Sequence, residues 1–489
     1  MSLGNEIRRG ALWLFAGNTG NQILSFIFGI VLARLLAPED FGMLVTIQVF
    51  TGLAGFIAGG GMGQALVRAK DVTKEDYNVV FTLQLMIGCV IYAVFFSLAP
   101  WFATWYENPL YEILLRVSAL SFLLRPFVNL PASILYREMR FKAQAILRIA
   151  SLLISSAVSI SMAFDGFGVW SLIIGGISGS VASLFVLIPL TGWRPGISLQ
   201  FRRGEALARY GFLVSLNDIV EYFRAQTTNF ILSRTSGPAA VGLFNKADSL
   251  ARIPHDTITG SVYQVLFRAL AKEQDNKDAS RYLFFRSISL VTVYVTPLYV
   301  FAFWLAEPLI SIVYGEKWLP AAAPLAILAL AGPFRTITNM SGAVLSARNW
   351  LGKELIVQII LTVLVVVFTL VAQPYGLSAI AAGLVVVAIY NAAHMFHLAR
   401  TCIDAHWKDL LQSLKPGLGL NLLLLTSLFV CQQFMKHFEI SSELSYVILS
   451  ATTGAIVYGI AALTLPIEAI KTEQIRWKEK LTLGFMKYK

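Results

Sequence analysis

Charge is scarce in this chain: 14% of its 489 residues are Asp, Glu, Lys or Arg, against about 25% in soluble domains. With 56% hydrophobic residues and a mean hydropathy of +0.67, folding in water would leave large apolar patches exposed, so the expected solvent is lipid. Cysteine is nearly absent. Cys89, Cys402 and Cys431 are odd in number, and Cys89 and Cys431 fall in apolar segments, which argues against a disulfide framework. The five histidines are scattered, and His394 and His397, three residues apart, have no evident third ligand. No P-loop, H-E-x-x-H or nucleophile elbow occurs, so no enzyme, metal or organic cofactor is expected; H+ or Na+ coupling stays open. A cleavable leader is not expected either. The first apolar segment starts after Arg8 and Arg9, contains Asn18 and Asn21, and runs to Leu36 without a small-residue cleavage site.

What remains is a series of apolar segments, each long enough to cross a bilayer at about 20 residues. They fall at 11–36, 41–67, 79–103, 110–136, 145–164, 166–191, 211–236, 239–268, 283–306, 320–346, 351–373, 376–401, 416–435 and 442–466, about fourteen spans. The seventh and eighth carry many polar residues. With a cytoplasmic N-terminus, 29 of the 39 Lys and Arg fall on the inner face, four on the outer, and six inside the membrane. That asymmetry is what cytoplasmic loops show, and it places both termini inside. It also accounts for the net charge of +11 without a nucleic-acid partner. Outer loops such as Thr104–Pro109 are too short to fold into a catalytic module.

Residues 32–69 laid over 232–269, a constant offset of 200, share L-x-R-x3-P-x3-G (Leu32, Arg34, Pro38, Gly42 with Leu232, Arg234, Pro238, Gly242). They also share Q-x-L-x-R-A, from Gln64 to Ala69 and from Gln264 to Ala269. Six spans separate the copies, so both halves point the same way: a parallel repeat of the kind transporters use to build two bundles around a path. The expected architecture is all-α. An N-lobe of six spans (1–200) and a C-lobe of six (201–404) are followed by spans 13 and 14 (405–470). A basic amphipathic cytoplasmic tail (471–489) would lie on the anionic inner leaflet or in solvent.

Buried charge costs at least a few kcal/mol and normally faces a cavity or a partner. The six basic residues inside the spans are Arg116, Arg125, Arg224, Lys246, Arg252 and Arg335, all candidates for holding an anionic substrate. The acids are Asp218, Glu221, Asp248 and Asp256, candidates for charge balance or ion coupling. Pairing within one helix is a sufficient account of several: Glu221 with Arg224, and Arg252 between Asp248 and Asp256. Arg116 and Lys246, nearer the outer surface, can snorkel. Arg125 and Arg335 need a partner from another helix, water or an anionic ligand, and the ligand is the favoured reading. Arg125 precedes Pro126, Arg252 precedes Pro254 by two, and Arg335 follows Gly332-Pro333, so three arginines sit beside three kink signals. Asn18, Asn21 and Gln22 in span 1, and Gly59-Gly60-Gly61 and Gly63 in span 2, suit either tight packing or a lining that can reshape.

Leu32 to Gly42 (LARLLAPEDFG), Gly63 to Phe81 (GQALVRAKDVTKEDYNVVF), Tyr136 to Lys142 (YREMRFK), and Gly242 to Ala247 with Leu250 to Pro254 resemble the polysaccharide transporter family. These are Wzx-like lipid-linked oligosaccharide flippases of the multidrug/oligosaccharidyl-lipid/polysaccharide exporter superfamily, and the similarity leans to the colanic acid and teichuronic acid exporters. It is strongest over residues 1–270 and marks topology and lobe packing rather than substrate. The resemblance implies a V-shaped pair of six-helix lobes in the bacterial cytoplasmic membrane, opening alternately to each face. It implies an undecaprenyl-pyrophosphate-linked sugar repeat unit as cargo, with other polysaccharide-assembly proteins as further partners. Three rivals stay open. A cation-coupled multidrug exporter of the same fold favours acids without bases; a membrane glycan polymerase or ligase needs a sizeable outer loop. A scaffold would leave the buried charges unexplained.

Overall fold

The computed structural model describes residues 3–59, 61–69, 71–438, 442–467 and 470–477. Gly60 and residues 478–489, most of the expected amphipathic tail, lie outside them. The described residues form helices and short connections, with no strand among them. Two compact units result, Met1–Gly242 and Leu243–Lys489.

The first unit holds α1 (Leu3–Leu35), α2 (Pro38–Gly59), α3 (Met62–Arg68), α4 (Lys74–Trp105), α5 (Leu110–Ala119), α6 (Ser121–Arg137), α7 (Phe141–Phe164), α8 (Val169–Thr191) and α9 (Phe201–Thr235). It ends in the first turns of α10 (Gly237–Pro254). The second continues through a π-helical turn (His255–Thr259), α11 (Gly260–Lys272), α12 (Lys277–Tyr294), α13 (Thr296–Trp304), α14 (Ala306–Tyr314), α15 (Ala322–Ala329), α16 (Gly332–Ala347), α17 (Leu351–Ala372), α18 (Leu377–Ile403), α19 (Trp407–His437) and α20 (Glu443–Thr464).

Among the described residues, ten helical runs are long and apolar enough to cross a membrane, and an eleventh is counted if Glu316–Ala329 and Gly332–Ala347, bent by 47°, form one span. The runs outside this count are α1, whose N-terminal side chains lie outside the described residues, and the polar α9 and α10–α11 stretch. α1 has 33 residues and α9 has 35, each well beyond the roughly 20 that span hydrocarbon. Their composition is polar, with Asn18, Asn21 and Gln22 in α1 and Asp218, Glu221, Arg224 and Asn229 in α9. Such faces must turn to protein or to hydrated space rather than to lipid tails.

Lipid supplies no hydrophobic drive between helices, so close packing of small residues does. A Cβ on Gly17 would stand 2.5 Å from the Ala145 Cβ, and one on Gly175 would stand 1.8 Å from the Ser159 Oγ, so α1 and α8 both approach α7 closely. Local signals set the ends. Thr73 and Asp76 form a reciprocal cap on α4, the Thr73 N–H donating to Asp76 Oδ2 at 2.8 Å. Arg137, from the YREMRFK motif, donates to the carbonyls of Leu66 and Ala69, both at 2.6 Å, and so satisfies the end of α3.

The two copies of P-x3-G meet. A Cβ on Gly42 would lie 1.6 Å from the Pro238 carbonyl oxygen, and one on Gly242 would lie 1.9 Å from the Pro38 carbonyl oxygen. The contact is reciprocal, each turn's glycine meeting the other turn's proline carbonyl. Glycine is required at both because backbone meets backbone.

The described part of the tail packs one face on protein and leaves Lys471, Ile475 and Arg476 exposed. Ile470 is fully buried with Val293, Leu420, Ala461 and Ala462. Glu473 pairs with Arg286 at 2.9 Å, and Trp477 packs edge-on against Tyr294.

Candidate functional site

In the first unit the site is built on a glycine notch. The face of α2 carries Gly52 and Gly55 one turn apart. A Cβ on Gly52 would stand 2.0 Å from the Tyr222 hydroxyl, and one on Gly55 would stand 2.4 Å from Arg125 Nη1. The missing side chains admit both groups. Tyr222 on α9 donates to the Gln48 carbonyl at 2.5 Å and packs on Phe56. Arg125, midway along the Leu110–Arg137 span, donates from Nη1 to the Gly55 carbonyl at 3.0 Å, with its guanidinium carbon 5.1 Å from the centre of the Phe122 ring.

Arg125 is half-buried, and no carboxylate lies within ion-pairing distance of it among the described residues. One carbonyl and one ring do not use up five N–H donors. The arrangement is a fixed cation with its remaining donors uncommitted, suited to a carboxylate or a phosphate.

The second unit handles its arginines differently. Asp248 lies between two of them: Arg252 Nε donates to Oδ2 at 2.6 Å, and Arg335 Nη2 donates to Oδ1 at 3.2 Å. The favoured sequence reading left Arg335 for a ligand. The structure gives it a protein partner from another helix, which a single-span search cannot find. Its Nη1 is nevertheless buried with no acceptor among the described residues.

Pro254 and the π-turn after it widen the helix directly beyond Arg252. The 47° bend before Gly332-Pro333 sets Arg335 in the first turn of α16. The Tyr299 ring packs where a Gly332 Cβ would be, at 2.4 Å, and its buried hydroxyl has no partner; neither has the Thr259 hydroxyl. Asp256 is 57% exposed and contacts His255 at 3.2 Å.

The remaining candidates are distributed. Arg116 pairs with Glu112 at 2.8 Å and lies 4.3 Å from the Phe96 ring, so its partner is an acid one turn away on the same helix. Lys246 lies 5.3 Å from the Tyr314 ring and 5.8 Å from that of Trp318. On α9, Asp218 and Arg224 are half-buried and Glu221 is exposed. Tyr222, Gly52, Gly55 and Phe122 were not singled out from sequence. The available signal was the spacing of Gly52, Gly55 and Gly59, which keeps one face of α2 bare.

Comparison with known proteins agrees with this architecture. The polysaccharide biosynthesis protein family profile matches residues 31–323, more than half of the chain. The succinoglycan biosynthesis transport protein ExoT of Rhizobium meliloti is 27% identical over 325 residues, 66% of each chain. The lipopolysaccharide biosynthesis protein WzxC of Escherichia coli is 23% identical over 354 residues, 71% of each. The lipid II flippase MurJ in an inward closed conformation superposes with a TM-score of 0.76, at 16% identity, over 92% of this chain and 98% of that one. ExoT is named as a transport protein and MurJ as a flippase. The chain is therefore a multi-pass membrane protein with the MurJ fold, and it belongs to the polysaccharide biosynthesis protein family.

Proposed function

We propose that this protein is a flippase moving undecaprenyl-pyrophosphate-linked oligosaccharide repeat units across the bacterial cytoplasmic membrane for surface polysaccharide assembly. The observation that carries the reading is Arg125: a cation held at mid-span by a carbonyl and an aromatic ring, with no acid beside it. Such a charge is costly in a bilayer unless it serves an anion or a hydrated path. Arg335 and Arg252 offer guanidinium groups on two helices, the geometry in which arginine grips phosphate oxygens.

In this reading Arg125, Arg335, Arg252 and Arg224 hold the pyrophosphate while the prenyl chain trails in lipid. Arg116 and Lys246, engaged locally, contribute field rather than contact. Asp218, Glu221, Asp248 and Asp256 balance the charge or carry a coupling H+ or Na+. The halves 1–200 and 201–404 provide alternating access, and both termini lie in the cytoplasm, as the inner-face excess of Lys and Arg supports. A cation-coupled multidrug exporter would place acids where spans 4 and 10 carry Arg125 and Arg335. The test is Arg125→Ala in a host that depends on this gene for its surface polysaccharide. Loss of export at normal protein level is expected, and full export would remove Arg125 from the site.

A further inference from the structure

The Asp248 carboxylate sits as a phosphate would: one oxygen on Arg252, the other on Arg335, from two different helices. Two guanidinium groups share the one Asp248 carboxylate. Asp256, mostly exposed and hydrogen-bonded to His255, adds charge near Arg252 but makes no ion pair with either arginine. Arg335 Nη1 and the Tyr299 hydroxyl are buried without acceptors. A group with more acceptor oxygens and more charge than one carboxylate would satisfy the cluster better.

We infer that Asp248 is an internal stand-in for the ligand's phosphate: it fills the Arg252–Arg335 clamp when the protein is empty, is displaced by a pyrophosphate group, and returns to expel it. This rests on reading these arginines as a pyrophosphate site. A double-arginine clamp with nothing in it is expensive at membrane depth. Filled, it binds by exchange: arginine–carboxylate pairs are lost as arginine–phosphate pairs form, so affinity falls and release speeds up. The exchange needs a side-chain rotation only, because Asp248 and Arg252 are one turn apart on α10 and Arg335 approaches from α16. A transporter must let go of its cargo, and a built-in competitor provides for that.

The experiment is titration of the purified full-length protein with inorganic pyrophosphate, comparing wild type, Asp248→Asn, Arg335→Gln and the double variant. Asp248→Asn removes the charge and keeps the size, and should bind pyrophosphate about tenfold tighter or more. Arg335→Gln should weaken binding in both backgrounds. A variant damaged in folding would lose affinity, so a gain cannot arise that way; Asp248→Ser must shift in the same direction. Equal or weaker binding by Asp248→Asn and Asp248→Ser, with Arg335→Gln still weakening it, overturns the stand-in and leaves the arginine site intact. Binding that is absent throughout, or indifferent to Arg335→Gln, removes the site and the inference together.

Discussion

The glycine notch under Arg125 invites a substitution one residue away from the charge itself. In Gly55→Ala the new Cβ would lie 2.4, 2.7 and 2.8 Å from Nη1, Nη2 and Cζ of Arg125. Ordinary carbon contacts are about 3.5 Å, so the guanidinium must retreat by roughly 1 Å. It is the far end of a flexible side chain, so the fold should absorb the change, with a melting temperature within about 3 °C of wild type. What cannot survive is the 3.0 Å bond to the Gly55 carbonyl. Hydrogen bonds to charged groups are worth about 1.5–3 kcal/mol, which sets the expected loss of transport at roughly ten- to a hundredfold. Gly59→Ala is the control on the same helix, since its Cβ would meet only the Asn129 Nδ2, at 3.9 Å. Initial rates of transbilayer movement in proteoliposomes, normalised to inserted protein, measure the effect. Wild-type rates in Gly55→Ala would refute the claim that the notch positions a working arginine.

Gly42→Ala should be far more damaging to the fold, because its Cβ would meet the Pro238 carbonyl oxygen at 1.6 Å and backbone cannot swing aside; a loss of about 1–3 kcal/mol or more is expected in thermal unfolding. Gly29→Ala, with nothing within 4 Å, should be silent in the same assay. Ile470→Asp should release the 470–477 segment from Val293, Leu420, Ala461 and Ala462, read as faster proteolysis within it at unchanged cleavage elsewhere. The Lys277 ammonium beside Asp404, at 2.6 Å, holds that carboxyl below the usual carboxylate range. Its stabilising effect is therefore present above the ordinary carboxylate pKa of about 4 and disappears as pH falls through the lowered value. Asp404→Asn should differ slightly from wild type at neutral pH and low salt, and not in strong acid.

The class of protein was legible because composition dictates it: with 14% charge, no soluble alternative exists. The repeat was legible at Pro38, Gly42, Pro238 and Gly242 because those turns meet backbone to backbone, which constrains residue identity as well as polarity. Spans 7 and 8 were harder for the opposite reason. Their helices form through length and protein contact while their polar faces erase the hydropathy signal. Within the site, the intra-helical pair Asp248–Arg252 follows from i,i+4 spacing. The partners Asp248 for Arg335 and Gly55 for Arg125 do not, because they are 87 and 70 residues apart in sequence and depend on which helices adjoin. The packing of the 470–477 segment was not legible either, because the partners of Ile470 and Gln474 come from other helices and from the chain before it.

The central claim is translocation of a pyrophosphate-linked glycan lipid through buried arginines. The direct measurement is transbilayer movement of a labelled undecaprenyl-pyrophosphate oligosaccharide in proteoliposomes, with and without a proton or sodium gradient. Movement by the wild type that disappears in Arg125→Ala and Arg335→Ala is the predicted result. No movement of any lipid-linked glycan, together with gradient-driven efflux of a cationic dye, would contradict the account and identify a multidrug exporter instead.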